Sequence, residues 1–113
     1  MPDPLPEISA TEAIDLVGSG TYLIDVREQD EWDKGHAAGA HFVPMSKLGE
    51  PTDGIPKDRQ VLVVCHSGGR SARVTRSLIN QGYDAVNVAG GSSAWAAADG
   101  PLESDGPGVP RIE

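Results

Sequence analysis

The chain holds a single cysteine, and the residues around it are arranged for chemistry. Val61-Leu62-Val63-Val64 runs into Cys65-His66-Ser67-Gly68-Gly69-Arg70, and Ser71 to Gln81 follows a helical pattern with Val74, Leu78 and Ile79 inward. That order reads as a buried strand, a short glycine-containing loop and a helix N-terminus. In open α/β sheets, sites gather at the carboxyl ends of strands, where Cys65 stands. Successive N–H groups of such a loop face its own centre, and the helix start adds donors without intrahelical partners. Gly68 and Gly69 allow the backbone angles this cradle needs. A negative group in the cradle is stabilised, so a Cys65 thiolate is the candidate nucleophile.

The charge pattern points the same way. Seventeen Asp+Glu against nine Lys+Arg give a net charge of −8. Yet no carboxylate lies between Asp58 and Asp84, while Arg59, Arg70, Arg73 and Arg76 do. An acidic chain that is locally positive around its only thiol offers what a low-pKa cysteine requires. The overall acidity argues against a nucleic-acid partner, whose phosphates reward basic surfaces. No apolar run approaches the roughly 18–20 residues of a membrane span. Residues 1–6, rich in proline, lack the basic and apolar regions of a secretory signal. One cysteine excludes an intramolecular disulfide framework and an all-cysteine metal site, so a cytoplasmic location is expected. His36, His41, His66 and Cys65 fit no metal-ligand spacing, and Gly90-Gly91 is too sparse for a dinucleotide loop. No metal and no cofactor are expected.

The elements that must position Cys65 follow from pattern. A length of 113 residues bounds the chain to one domain. Residues 1–6 read as an extended arm, because each proline fixes φ and removes a donor. Ser9 and Glu12 fit a capping box for a helix that Gly18 ends. Residues 21–26 form a strand covered on both faces, 27–35 a short helix around Trp32 closed by Gly35, and 40–43 a shorter strand. Residues 45–58, with two glycines and two prolines, form a connection with at most one helical turn. Residues 85–88 are a further strand, and Ser92 or Ser93 caps a last helix over 94–98. After Asp99 the chain is poor in large apolar groups, and little fixed structure is expected there, with 103–113 as a flexible tail. Strands alternating with helices indicate an α/β domain over 7–102 with a mainly parallel sheet.

At this point the loop resembles a known family. Cys65, two residues, Gly68, one residue, Arg70, Ser71 is similar to the active-site loop of rhodanese-type sulfurtransferases. Leu23-Ile24-Asp25-Val26-Arg27, Glu31-Trp32, Gly35-His36, Gly39-Ala40 and Pro44 look like the family's first motif. Gly82-Tyr83, Val88-Ala89-Gly90-Gly91 and Trp95 resemble its closing motif. Ala37 departs, standing where a larger apolar residue is common, and the tail after Leu102 matches nothing. The resemblance implies a rhodanese-like fold with a five-stranded, mostly parallel sheet and helices on both faces. It implies that Cys65 takes the outer sulfur of a small anionic donor such as thiosulfate as a persulfide. That sulfur would pass to cyanide or a thiol, including a protein thiol. The backbone of His66, Ser67, Gly68, Gly69 and Arg70, with Ser71 beyond, would hold the persulfide, and Arg70 would bind the donor or brace the loop.

The neighbouring residues read more plainly. Asp25 and Arg27 follow a buried strand and are expected to support the site, with Arg27 paired to Asp25 or Glu31. Arg73 adds positive charge. His66 is expected to point outward, and Trp32 and Trp95 to anchor packing. Two other functions compete. A cysteine phosphatase or arsenate reductase of this architecture places the arginine six positions after the cysteine, whereas Arg70 is five after Cys65. A non-catalytic rhodanese-like binding module typically lacks the cysteine that this chain keeps.

Overall fold

The structure, a computed structural model, describes residues 4–47, 54–105 and 108–112. Local signals place most elements. Ser9 caps α1 (Ala10–Gly18) by accepting from the Glu12 N–H at 3.1 Å. Gly18 ends the helix as read from the sequence, and Gly20, at φ +102°, makes the left-handed turn that follows. Strand β2 (Tyr22–Asp25) leads to α2 (Gln29–Lys34), closed at Gly35 as read from the sequence. The remaining regular elements are β3 (His36–Ala37), β4 (His41–Phe42), β5 (Gln60–Val64), α3 (Gly69–Asn80), β6 (Asp84–Val88), α4 (Gly91–Ala97) and β7 (Leu102–Glu103). One 3-10 turn, Met45–Lys47, lies in the 45–58 connection, whose residues 48–53 are outside the described ones.

A two-residue strand precedes α1. This β1 (Glu7–Ile8) pairs with β6, and Asn87 N–H donates to Pro6 O at 2.9 Å. Two residues behind prolines carry no period to read, so the sequence assigned no element to residues 7–8. Residues 1–3 lie outside the described ones. The sheet runs β1-β6-β5-β2-β4 with every pairing parallel. Strand β5 is therefore central and covered on both faces, as its unbroken valines and leucine require. Its alternation divides the core. Val61, Val63 and Cys65 pack with Val74 and Leu78 of α3, while Leu62 and Val64 pack with Ala13 of α1 and Trp95 of α4.

Where described, the chain after Asp99 makes specific contacts that its composition does not suggest. Strand β7 pairs antiparallel with β3, Asp105 accepts from Trp32 Nε1 at 2.7 Å, and Arg111 N–H donates to Lys34 O at 3.0 Å. These bonds satisfy backbone and indole groups on another element, which composition alone cannot show.

Candidate active site

Cys65 continues the inward parity of Val61 and Val63, so its side chain enters the layer where α3 begins. Between strand and helix the chain must turn within a few residues. Gly68 makes that turn at φ +108° and is the residue before α3. A side chain there would be strained by the backbone angle, and its Cβ would lie 3.4 Å from Gly90 N. The Gly68 N–H consequently points at the cysteine and donates to Sγ at 3.1 Å. Gly69, read as a second special position, is ordinary first-turn helix with open space beside it. The helix starts two residues earlier than its apolar period indicates, and Ile79, read as inward beside Val74 and Leu78, is exposed.

A second glycine turn grips the loop from behind. Ser92 N–H donates to Cys65 O at 2.7 Å and Ser93 N–H to His66 O at 3.0 Å. With those carbonyls fixed outward, the N–H groups of the loop are left facing the sulfur. Gly91, at φ +60°, has no room for a side chain, since a Cβ would collide with Cys65 O and the His66 carbonyl. Helix α4 thus begins at Gly91 with Gly90 before it, and the serines serve through backbone N–H groups rather than as side-chain caps. Ser92 Oγ is buried without a partner among the described residues.

Opposing effects meet at the thiol. Burial raises its pKa, while the Ser71 hydroxyl and the N–H groups of Ser71, Gly68 and Ser67 lower it, and the net shift is downward. Ser71 is itself fully buried, and its Oγ lies 2.5 Å from Asn87 Oδ1 and 3.2 Å from Gly68 O. Asn87 Nδ2 in turn donates to Glu7 Oε2 at 2.8 Å. This line from β1 through β6 to α3 was missed in the sequence. An asparagine inside an apolar strand, Ala85-Val86-Asn87-Val88, was the one available signal, because a buried amide demands partners.

Arg70 braces rather than projects freely. Its Nη1 and Nη2 meet Glu31 Oε1 and Oε2 at 2.7 and 2.8 Å, a two-point clamp between α3 and α2. The hydrogen bond from Arg70 holds the Glu31 carboxyl down to about 2, and the Glu31 carboxylate raises Arg70. Arg27 therefore pairs with Asp25, not Glu31. Its Nε and Nη2 donate to Asp25 at 2.8–3.0 Å, Nη2 also donates to Gly35 O at 2.7 Å, and both side chains are fully buried. Arg73 is exposed on α3, and no hydrogen bond or ion pair among the described residues ties it to the loop. His66 is half-buried. His36 stacks on Trp32 and His41 on Tyr22. A cleft of about 460 Å³ lies along the same carboxyl edge of the sheet, lined by Glu28, Gln29, Phe42, Pro44, Ser46 and Lys47.

This geometry has known counterparts. The chain is 37% identical over 102 residues to thiosulfate sulfurtransferase 16 of Arabidopsis thaliana, covering 79% of this chain and 85% of that protein. It is 38% identical over 93 residues to thiosulfate sulfurtransferase GlpE of Coxiella burnetii, covering 80% and 87%. A rhodanese-related protein from Thermoplasma volcanium superposes with a TM-score of 0.80 at 28% identity, covering 87% and 97%. The family model for the rhodanese-like domain matches residues 9–98, from the cap of α1 to the end of α4. A thiol at the end of the central parallel strand, its loop turned by Gly68 and backed by Gly91, sits inside that match, and the chain belongs to the rhodanese-like domain family.

Proposed function

We propose that this protein is a sulfurtransferase that carries a sulfane sulfur on Cys65. The Cys65 thiolate attacks the outer sulfur of thiosulfate, the S–S bond breaks, and sulfite leaves with its electron pair. Cyanide or a thiolate then attacks the terminal sulfur of the Cys65 persulfide, releasing thiocyanate or a new persulfide and restoring the Cys65 thiolate. No net redox change or cofactor is needed. The observation that carries this reading is the N–H cradle, with Gly68 N–H on Sγ and both neighbouring carbonyls turned away. A cradle of that kind stabilises the thiolate before attack and the anionic terminal sulfur after it. Residues 66–71 hold the sulfur, and Arg70, with N–H groups beyond those used by Glu31, faces the donor anion. Asp25 and Arg27 support the loop from beneath, and Arg73 adds positive charge at its rim. The four-residue spacing between Cys65 and Arg70 fits one sulfur better than a phosphoryl group. We place the reaction in the cytoplasm and the domain over residues 7–102.

The test is an intact-mass spectrum after thiosulfate treatment. One added sulfur, about 32 Da, is expected on Cys65, removed by cyanide and absent in Cys65→Ser, because only a thiolate can accept it. Sulfur transfer that survives Cys65→Ser overturns the reading.

A further inference from the structure

We infer that the described residues beyond Asp99 form a strap that sets the position of Arg70, with Asp105 as its positioning residue. The strap lies outside the family match, which ends at residue 98. Helix α2 has only six residues, so it cannot hold its own shape and depends on what fastens it. Trp32 on α2 is buried, stacked between His36 at 3.4 Å and Phe42 at 4.8 Å, and its indole N–H needs an acceptor. Asp105 supplies it at 2.7 Å, a charge-assisted bond. The adjacent Glu31 clamps Arg70. One turn of helix thus joins the strap to the arginine of the thiol loop.

The rest of the strap fastens the same region. Pro101 O accepts from Ala38 N–H at 2.8 Å and from Trp95 Nε1 at 2.9 Å, and Glu103 Oε1 accepts from Gly39 N–H at 2.9 Å. Arg111 crosses against Gly35 so closely that a Cβ on that glycine would collide with its backbone. The strap therefore holds the C-terminal half of α2 and the strand after it.

The kinetic half of the test rests on the sulfurtransferase reading, and the spectroscopic half does not. In full-length ¹⁵N-labelled protein, the Arg70 side-chain N–H signal, assigned with Arg70→Ala, reports the clamp directly. Asp105→Ala is expected to shift that signal and to raise the thiosulfate KM about fivefold, with kcat within about twofold, the scale of one lost hydrogen bond. Asp105→Asn keeps an acceptor oxygen and restores the wild-type values. Trp32→Phe removes the indole N–H while leaving an aromatic ring to stack, and moves both readouts as Asp105→Ala does. In an Arg70→Ala background, Asp105→Ala adds nothing further to KM, because the two act through one contact. An Arg70 signal that stays in place in Asp105→Ala overturns the strap, as does an equal KM penalty with and without Arg70. A shifted signal in a protein whose wild type does not turn over thiosulfate upholds the strap and overturns the sulfurtransferase reading.

Discussion

At the scale of single residues, the sulfur is governed by a contest between burial and donated hydrogen bonds, and the bonds win. Iodoacetamide alkylation followed across pH is expected to show a midpoint below that of a free cysteine thiol. Ser71→Ala moves the midpoint back up, since the Ser71 hydroxyl is among the groups that lower it. It also leaves Asn87 Oδ1 without its close partner, which costs about 1–2 kcal/mol of stability in a buried site. Glu31 carries a separate pH signature. Its carboxyl is held down to about 2 by Arg70, so the folded state binds its proton less readily than the unfolded chain does. A depressed carboxyl contributes stability above its ordinary range and loses it as pH falls toward about 2. Because Arg70 is partly exposed, solvent screening leaves about 1 kcal/mol of that contribution. Thermal melts from neutral to strongly acid pH are expected to show a shallower acid decline in Glu31→Gln than in wild type.

At the scale of elements, the loop is a joint product of two glycine turns, and its glycines are not equivalent. Gly68→Ala puts a side chain at φ +108°, and Gly91→Ala drives a Cβ into the carbonyls of Cys65 and His66. Each is expected to lower stability by about 1–3 kcal/mol, as forced left-handed or crowded backbone does. Each also lowers sulfur transfer, because the N–H groups lose their aim. Gly69→Ala, on open helical backbone, is expected to keep the activity and to raise stability by about 0.5–1 kcal/mol. Urea melts and thiocyanate formation on the three variants separate the positions. Equal effects at Gly68 and Gly69 would refute the assignment of the turn to Gly68 alone.

At the scale of the whole molecule, the parallel sheet gathers distant segments at one edge. Strand β2 delivers Asp25 and Arg27, β5 delivers Cys65, and β6 delivers Asn87 with Glu7 alongside on β1. The Asp25–Arg27 pair is buried with one guanidinium nitrogen, Nη1, unpartnered among the described residues. Its members are therefore intolerant of separation. Asp25→Ala leaves a buried cation and is expected to cost about 3–5 kcal/mol in denaturant melts. Asp25→Ala combined with Arg27→Met removes the uncompensated charge and costs less, which a double-mutant comparison reads directly. Arg27 also ties the end of β2 to Gly35 O, so losing it loosens the segment that follows α2.

What the sequence alone determined is what local chemistry encodes. The apolar runs marked β2 and β5, Ser9 marked the start of α1, and Gly35 marked the end of α2. The loop from Cys65 to Ser71 was legible because a lone thiol, glycines and carboxylate-free surroundings stand together in the chain. Partner choice was not legible, since pairing energies depend on which groups the fold brings within hydrogen-bond reach. Only the tertiary structure decided that Arg27 takes Asp25 and Arg70 takes Glu31. It likewise decided that Gly91 backs the thiol loop and that a two-residue β1 completes the sheet. The segment after Asp99 shows the same division. Its composition offers no core of its own, yet its backbone and Asp105 meet groups on α2 and β3 that must otherwise go unsatisfied.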